Sequence, residues 1–322
     1  MIVRSPRPLL RRASLLVGTA GVVWAVAPSP AVAGMSCTTA VTALNYGTFS
    51  SPNASPIDTT AALSISCSGA NAGSAFRLCI SMANPSIPLT SGGNSLAENI
   101  YKDASRSTIF GSFRTSATGG VQVDVVANSS GSGSTSVTLY GRVPVQSVPP
   151  GSYAVTMAAT NLEVGFDDDT SRSCSVIATG GGDGLVNRAL TAVATVQAAC
   201  NVSATNMDFP SVSSLSTAQT TTSTVSLTCS TGLPYNIVLN GGNANATDPT
   251  QRKMTSGAQQ ITYGLYRDSA HTLPWGLTLG TNTKSGTGTG SSQSHTVHGR
   301  VPAQTTPAPG TYSDTVVVTV EY

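Results

Sequence analysis

Residues 62–67 read ALSISC, a stretch in which apolar and polar side chains alternate up to a cysteine. A period of two is typical of a β-strand that buries one face and exposes the other. Residues 225–229 read VSLTC and repeat the pattern in the second half of the chain. The two stretches predict equivalent half-buried strands in two halves of one chain.

These stretches belong to a repeat that covers most of the sequence, which predicts two domains of the same fold. The other matched pairs are 99–103 (NIYKD) with 264–268 (GLYRD), 139–144 (LYGRVP) with 297–302 (VHGRVP), and 150–153 (PGSY) with 309–312 (PGTY). Short segments separated by Gly- and Pro-containing turns, with almost no helical periodicity, predict an all-β sandwich in each half.

The composition also favours strands over helices. Charged residues make up 9% of the chain, against about 25% in an average soluble domain. Thr and Val are abundant and suit pleated strands because they branch at Cβ, while Gly, Asn, Ser and Pro supply turns. The alternating Val-rich segments can bury an apolar face, so the low charge does not indicate disorder.

The N-terminus has the order of features found in a secretory signal peptide. Four arginines precede an apolar run at about 15–27, and Ala-Val-Ala follows at 31–33. The run is too short to cross a bilayer stably, so we expect cleavage after Ala33, not an uncleaved membrane anchor. Cleavage leaves 12 of the 16 basic residues against 14 acidic ones. This mildly acidic balance argues against nucleic acid as a partner.

The six cysteines predict three disulfide bonds within the domains. The expected pairs are Cys37 with Cys67, Cys200 with Cys229, and Cys79 with Cys174. The first two pairs have nearly the same spacing in both repeats, and closing such a loop of about 30 residues stabilises a fold by roughly 3 to 4 kcal/mol on the chain-entropy model. Zinc is the alternative, which is disfavoured because no C-x-x-C pair exists and exported thiols become oxidised.

The predicted domain boundaries follow the repeat. Residues 34–179 are expected to form an N-terminal domain, 180–189 a linker that contains GGGDG, and 190–322 a C-terminal domain. The apolar strand candidate at 190–198 can belong to the second sandwich or close the first, and the sequence leaves both assignments open.

The C-terminal domain is predicted to lack a strand. Its final strand candidate spans 315–322, where Val316, Val318, Val320 and Tyr322 alternate onto one face. No downstream segment follows to form the seventh strand of an immunoglobulin-type sandwich. An uncovered edge beside an apolar cleft invites aggregation, and a strand from another chain can cover it. These four side chains are therefore the predicted groove for a donated strand.

The first half differs from the second at both ends. Its chain continues past the last matched strand through 161–166 and 172–177, which can supply a seventh strand in cis. Cys37 lies three residues after the predicted mature start at Gly34, which leaves no segment to donate. A subunit that accepts a strand but cannot give one is expected at the tip of a fibre.

The cysteine-to-cysteine opening of each half, the Trp-Gly pair at 275–276, the Gly-Arg-Val-Pro strand and the closing GTYSDTVVVTVEY at 310–322 resemble the spore coat protein U domain. The resemblance implies two tandem immunoglobulin-like β-sandwiches, the C-terminal one lacking its last strand. It also implies a secreted pilin subunit of the archaic chaperone-usher pathway. The implied partners are a periplasmic chaperone, the outer-membrane usher and the next pilus subunit, whose N-terminal segment donates the strand.

These expectations combine into a tip adhesin of a chaperone-usher pilus, exported through the periplasm to the cell surface. It would mediate attachment to a host or abiotic surface and biofilm formation. The predicted adhesive tips are apolar residues in Pro-containing loops, Ile57, Ile87, Leu89 and Val148. For any one loop, the alternative is a plain turn with its apolar residue tucked inward. The alternative function is a structural pilus-shaft or spore/surface-coat subunit without receptor binding.

The sequence offers no clear catalytic or metal-binding arrangement. His295 and His298 lie three apart on a predicted strand, so they point to opposite faces and cannot bind one metal together. No Gly-x-Ser-x-Gly elbow stands between a strand and a helix. The run at 167–169, DDD, could recruit calcium, but it lacks the flanking Gly and Glu of a known loop, which favours a solvated turn. We expect no enzyme activity, no cofactor and no metal.

Overall fold

β-Strands supply nearly all the regular structure of residues 34–322, the part of the chain that the computed structural model describes. The predicted signal peptide, 1–33, lies outside the described residues together with its cleavage site. Within residues 34–322, no helix has the length and apolar character needed to span a membrane. The all-β prediction is confirmed, and the strands form two sandwiches in tandem.

The first sandwich consists of β1 (Ser36–Val41), β2 (Leu44–Ser50), β3 (Ile57–Ser68), β4 (Ala75–Met82), β5 (Leu89–Ser91), β6 (Asn94–Leu96), β7 (Asn99–Tyr101), β8 (Val121–Val126), β9 (Gly133–Val143), β10 (Gly151–Asp167) and β11 (Gly184–Gln197). A helical turn, α1 (Cys174–Val176), and a π-helical turn (Ile177–Gly181) connect β10 to β11. One sheet has the order β1-β3-β9-β7, and the other has the order β2-β11-β10-β4-β8 with the β5–β6 hairpin against β10.

The alternation in the sequence sets the inward faces of these strands. In β3, Leu63, Ile65 and Cys67 are buried and the residues between them are exposed. In the second sandwich, Val225 and Leu227 repeat this arrangement. The predicted half-buried strands are confirmed, and their buried faces form one apolar core in each sandwich.

Strand β11 closes the first sandwich. It pairs antiparallel with β10 and parallel with β2, so it is hydrogen-bonded along both edges. Its inward side chains are all buried, namely Leu190, Ala192, Ala194 and Val196. The predicted linker at 180–189 is therefore wrong from Gly184 onward, and the apolar segment that the sequence left unassigned belongs to the first sandwich. The glycines at 180–182 lie in the β10–β11 connection, where Gly180 adopts a φ of 91°.

The expected cis strand of the first sandwich is also placed differently from the prediction. Residues 161–166 are the second half of β10, which runs unbroken for 17 residues. Residues 172–177 lie in the helical connection. The seventh strand that the prediction sought in these segments is β11. β10 pairs with β4 up to its last residue, Asp167, and the chain then turns back and pairs along the other edge of β10.

The second sandwich consists of β12 (Cys200–Ala204), β13 (Gln219–Cys229), β14 (Pro234–Leu239), β15 (Arg252–Ser256), β16 (Gln259–Tyr266), β17 (Lys284–Thr287), β18 (Gln293–Val301) and β19 (Val318–Glu321). One sheet has the order β12-β13-β18-β16-β15, and the other has only three strands in the order β17-β14-β19. Trp275 is fully buried in its core, and its Nε1 donates to Ile237 O at 2.9 Å.

The three predicted disulfide bonds are confirmed. Cys37 pairs with Cys67, Cys79 with Cys174, and Cys200 with Cys229. The first and third bonds join directly opposite residues of β1 and β3 and of β12 and β13. The second bond ties the helical connection to β4. A disulfide bond thus ties the first strand of each sandwich to the strand beside it. In the first sandwich, a further bond ties the β10–β11 connection to β4.

The two sandwiches meet at a short, hydrogen-bonded junction. Only residues 198 and 199 separate β11 from β12. Ser230 Oγ donates to Ser51 O at 2.5 Å, and the hydroxyl oxygens of Ser147 and Thr231 lie 2.6 Å apart. The loops before β3 and before β10 therefore face the second sandwich.

Candidate strand-accepting groove

The second sandwich has an open edge where the first is closed. In the first, β10 pairs with β4 on one side and β11 on the other. In the second, β19 takes the place of β10 and pairs with β14, with Val318 opposite Leu239. On the other side of β19, none of the described residues forms a strand. The second sandwich, as described, therefore lacks the counterpart of β11.

A groove of about 550 Å³ occupies this position. Its apolar lining comes from both sheets and from the segment after β12, and consists of Met207, Phe209, Val225, Leu239, Met254, Tyr263, Leu265, Val297, Val316 and Val318. Polar residues also line it, including 205–206 and 313–315. A cleft with apolar side chains in its lining, beside an unpaired strand edge, can accept an extended peptide that adds main-chain hydrogen bonds and side-chain contacts.

The wall of the groove opposite β19 corresponds to β2. Leu44 and Tyr46 of β2 pack under Gly141, and Met207 and Phe209 occupy the same position under Gly299. Leu44 and Tyr46 are buried, whereas Met207 and Phe209 are only half-buried and lie outside any strand. β2 is held in strand conformation by β11, and the second sandwich offers no such partner among the described residues.

The predicted groove residues are only partly in the groove. Val316 and Val318 line it. Val320 packs against the core of the second sandwich. Tyr322 is 60% exposed and lies outside the groove lining, because β19 ends at Glu321. Met207 and Phe209 were not predicted as groove residues, although 207–212 (MDFPSV) matches 44–49 (LNYGTF) of β2 in the repeat.

One wall of the groove carries a polar pair, the buried Tyr263 and the half-buried Asp314. Tyr263 Oη donates to Asp314 Oδ2 at 2.6 Å. Burial, followed by this hydrogen bond and the negative charge of Asp314, raises the pKa of Tyr263. Asp314 also accepts hydrogen bonds from the backbone N of Asn243 and of Thr315, both at 2.8 Å. These contacts hold the segment before β19 against the sandwich and shape the groove.

A second polar feature behind the groove escaped the sequence analysis. Arg252 is fully buried and donates to the carbonyl oxygens of Asn240, Pro249, Leu239 and Trp275 at 2.6 to 3.1 Å. Burial lowers the pKa of its guanidinium. The side chain ties the end of β14 to its neighbouring loops, which is a structural role.

The four predicted adhesive residues are not exposed tips. Leu89 and Val148 are buried, and Ile57 and Ile87 pack against the core of the first sandwich. Val148 N donates to Ser51 Oγ at 2.8 Å within the loops that contact the second sandwich. The prediction that these residues are exposed loop tips is wrong. Ile57 begins β3 and Leu89 begins β5, and all four side chains pack toward the core, the inward orientation that the sequence left open.

The opposite end of the first sandwich is the free one. β10 starts beside the junction and ends at Asp167, so the loops at 69–74, 127–132 and 168–183 lie away from the second sandwich. Three apolar side chains are exposed at or beside these loops. They are Val126, Val176 and Leu185, at 69%, 47% and 38%.

The histidines considered for metal binding have other partners. His295 Nε2 lies 3.0 Å from Tyr235 Oη. His298 packs edge-on against His271, which in turn packs against Tyr266. Burial lowers the pKa of His271 and of His295. These contacts are typical of histidines in packed β-structure.

Comparisons with known proteins agree with the repeat. The family model described as Spore Coat Protein U domain matches residues 24–160 and 186–319. No curated protein sequence matches the chain.

Solved structures that match the chain include a chaperone–tip adhesion subunit pre-assembly complex, CsuC-CsuE, from archaic chaperone-usher Csu pili of Acinetobacter baumannii. It has 19% identity and a TM-score of 0.49, and the match covers 89% of this chain and 100% of that chain. The CupB6 tip adhesin from Pseudomonas aeruginosa has 12% identity and a TM-score of 0.34, with 89% and 94% covered.

Proposed function

The chain belongs to the Spore Coat Protein U domain family, and from this premise we propose that it is a tip adhesin of a chaperone-usher pilus. In this proposal the second sandwich joins the fibre by accepting a strand from another chain, and the first sandwich makes contact with a surface. The role is one of assembly and adhesion, not catalysis.

The observation that carries the proposal is the difference between the two sandwiches. The same fold occurs twice, and the position that β11 fills in the first is a groove in the second. The pairing of β11 therefore predicts how a donated strand would lie in the groove. The donated strand should run antiparallel to β19, parallel to 206–212, and place an apolar side chain inward at every second position.

The energetics favour occupation of the groove. β11 buries four inward side chains between β10 and β2. Burying a comparable set in the groove would be worth roughly 25 cal/mol per Å² of apolar surface, in addition to main-chain hydrogen bonds. An unfilled groove exposes that apolar surface and an unpaired edge, both of which promote aggregation.

The partners follow from the route of export. During passage through the periplasm the donor would be a chaperone, and at the outer-membrane usher the next pilus subunit would replace it with its own N-terminal segment. The first sandwich is complete, so it needs no donor and is available for contact with a host or abiotic surface. We place that contact at the free loops beside Val126 and Val176, and attachment there would support biofilm formation.

Co-purification tests the groove. The full chain, produced with a periplasmic chaperone of its pathway, should purify as a one-to-one complex, and without the chaperone it should aggregate. Val316→Asp places a charge in the groove lining and should abolish the complex. Val317→Asp is the matched control, because Val317 is 53% exposed on the other face of the same segment.

Formation of the Cys200–Cys229 bond in both variants would show that the second sandwich still folds. A stable soluble monomer of the full chain without any partner would refute the groove proposal. Immunogold labelling confined to fibre ends is expected for a tip subunit. Labelling along the whole fibre would favour the shaft alternative.

A further inference from the structure

Three aspartates meet at the free end of the first sandwich. Asp167 and Asp168 lie at the end of β10, and Asp183 directly precedes β11. One carboxylate oxygen from each lies within 4.8 Å of the other two. The sequence predicted a solvated turn at 167–169. Asp183 was not predicted to lie beside it, because only the β10–β11 hairpin brings this residue in from the other side.

Asp167 is the buried member of this cluster. The residue is 1% exposed, and its Oδ1 accepts a hydrogen bond from Asp169 N at 2.7 Å. Its Oδ2 accepts no hydrogen bond from any residue in 34–322. A Cβ placed on Gly182 would lie 3.3 Å from this Oδ2, so the oxygen faces the segment that carries Asp183. A buried carboxylate oxygen that accepts no hydrogen bond is costly.

One nearby cation, Arg172, compensates only part of the negative charge of the three aspartates. Arg172 Nη1 lies 3.4 Å from Asp167 Oδ2, but its side chain is 49% exposed and also donates to Gly181 O. Asp168 accepts a hydrogen bond from Asn71 Nδ2 at 3.2 Å, and Asp183 accepts one from Asp168 N at 2.9 Å. Neither of these donors is charged. Burial, together with the charges of Asp183 and Asp168, raises the pKa of Asp167.

We propose that the carboxylates of Asp167, Asp168 and Asp183 bind one calcium ion. Calcium prefers oxygen ligands at about 2.3 to 2.6 Å, so two oxygens on opposite sides of one ion are up to about 5 Å apart. The observed spacing lets a single ion reach all three carboxylates. Asp168 and Asp183 are exposed, which leaves room for water to complete the six to eight ligands that calcium takes.

The ion would link the end of β10 to the start of β11. The 168–183 connection between these strands carries Cys174 of the Cys79–Cys174 bond and the exposed Val176. Calcium would therefore order the loop at the free end of the first sandwich. The site lies in a different sandwich from the groove, and it does not depend on the pilus assignment.

Calorimetric titration of the purified full chain with CaCl₂ tests the site. We expect one ion per chain with a Kd of about 0.1 to 1 mM, the range of extracellular calcium modules. The first sandwich should also unfold at a higher temperature in calcium than in EGTA. Magnesium at equal concentration should give a smaller shift, because Mg²⁺ demands stricter octahedral geometry and releases its water reluctantly.

Two substitutions distinguish a specific calcium site from nonspecific attraction of calcium by the negative charges in this region. Asp183→Asn keeps the oxygen that accepts from Asp168 N but removes a charged ligand, and it should weaken calcium binding at least tenfold. Asp169→Asn removes the neighbouring charge outside the cluster and should change binding less than threefold. Each of three results would overturn the proposal: no binding at 10 mM calcium, equal effects of the two variants, or equal shifts with magnesium.

Discussion

The first sandwich buries the carboxyl group of Glu98, which is 2% exposed. Tyr46 Oη donates to its Oε2 at 2.5 Å, and Oε1 accepts no hydrogen bond from the described part of the chain. Burial raises the pKa of Glu98 to about 7, although the Tyr46 hydrogen bond acts to lower it. The native state therefore retains a proton that an unfolded chain releases near the ordinary pKa of 4.5.

We expect Glu98→Gln to remove a pH dependence of stability. Because the native pKa is raised, the stabilisation is complete below pH 4.5 and is lost as the pH rises through about 7. Over this window the free energy of unfolding of the wild-type first sandwich should fall by up to about 3 kcal/mol, whereas that of E98Q should stay nearly level. Denaturant titrations at several pH values measure the difference, with the exposed Glu321→Gln as control. Equal slopes for wild type and E98Q would contradict the prediction.

Single residues differed in how well the sequence predicted them. Two of the three cysteine pairs were predictable because the same spacing occurs in both repeats and the strand register places the partners opposite each other. The burial of Leu89 and Val148 was not predictable, because a Pro-containing turn has the same sequence signature whether its apolar residue points in or out. The proximity of Asp183 to Asp167 was also not predictable, since only the β10–β11 pairing brings the two residues together.

Among the strands, the terminal strand β19 was easier to predict from the sequence than β11. The terminal strand was predictable because its apolar residues alternate from Val316 to Val320. β11 was harder to assign, since polar residues at 187–188 interrupt its apolar pattern and glycines precede it. Its parallel pairing with β2 joins segments about 150 residues apart, as in Ala192 with Leu44. Local patterns do not report such a pairing.

We expect a second copy of 184–197, appended after Tyr322, to fill the groove. A connection of the length of 168–183 should suffice, because that length joins β10 to β11 in the first sandwich. The extended chain should be monomeric without a chaperone and unfold at a higher temperature than the original chain. Size-exclusion chromatography and calorimetry measure both properties.

The control for this extension carries Leu190→Asp and Ala194→Asp in the appended copy only. These charges would enter the apolar lining, so the control chain should aggregate as the original chain does. If the intact and the charged copies gave the same oligomeric state and unfolding temperature, the groove would not be a site for a strand of this pattern.

For the molecule as a whole, the orientation of the first sandwich was the feature that the sequence predicted least well. The two-domain organisation was predictable from the repeat. Which loops face outward depends on where the junction lies, and the junction depends on contacts such as Ser230 with Ser51, which are 179 residues apart. No local pattern indicates that contact, so the sequence could not show that the loops before β3 and before β10 face the second sandwich.

We expect Ser230→Ala to loosen the junction without unfolding either sandwich. Ser230 is fully buried, donates to Ser51 O and accepts from Ala199 N at 3.1 Å. Its loss leaves both groups unpaired, at about 1 to 3 kcal/mol. Small-angle X-ray scattering should show a broader range of shapes, and proteolysis at 198–199 should be faster. Ser285→Ala, on an exposed strand position, should change neither property, and identical behaviour of the two variants would rule out this role of Ser230.

The two-residue connection at 198–199 also determines how tension passes through the molecule. A pull on the second sandwich enters the first through Gln197, at the end of β11, and acts along the axis of that strand. Because β11 is hydrogen-bonded to β10 on one side and to β2 on the other, the load falls on both ladders at once, in shear. The strand that completes the first sandwich is thus also its mechanical anchor, and a chain held at its free loops would resist detachment through the whole length of β11.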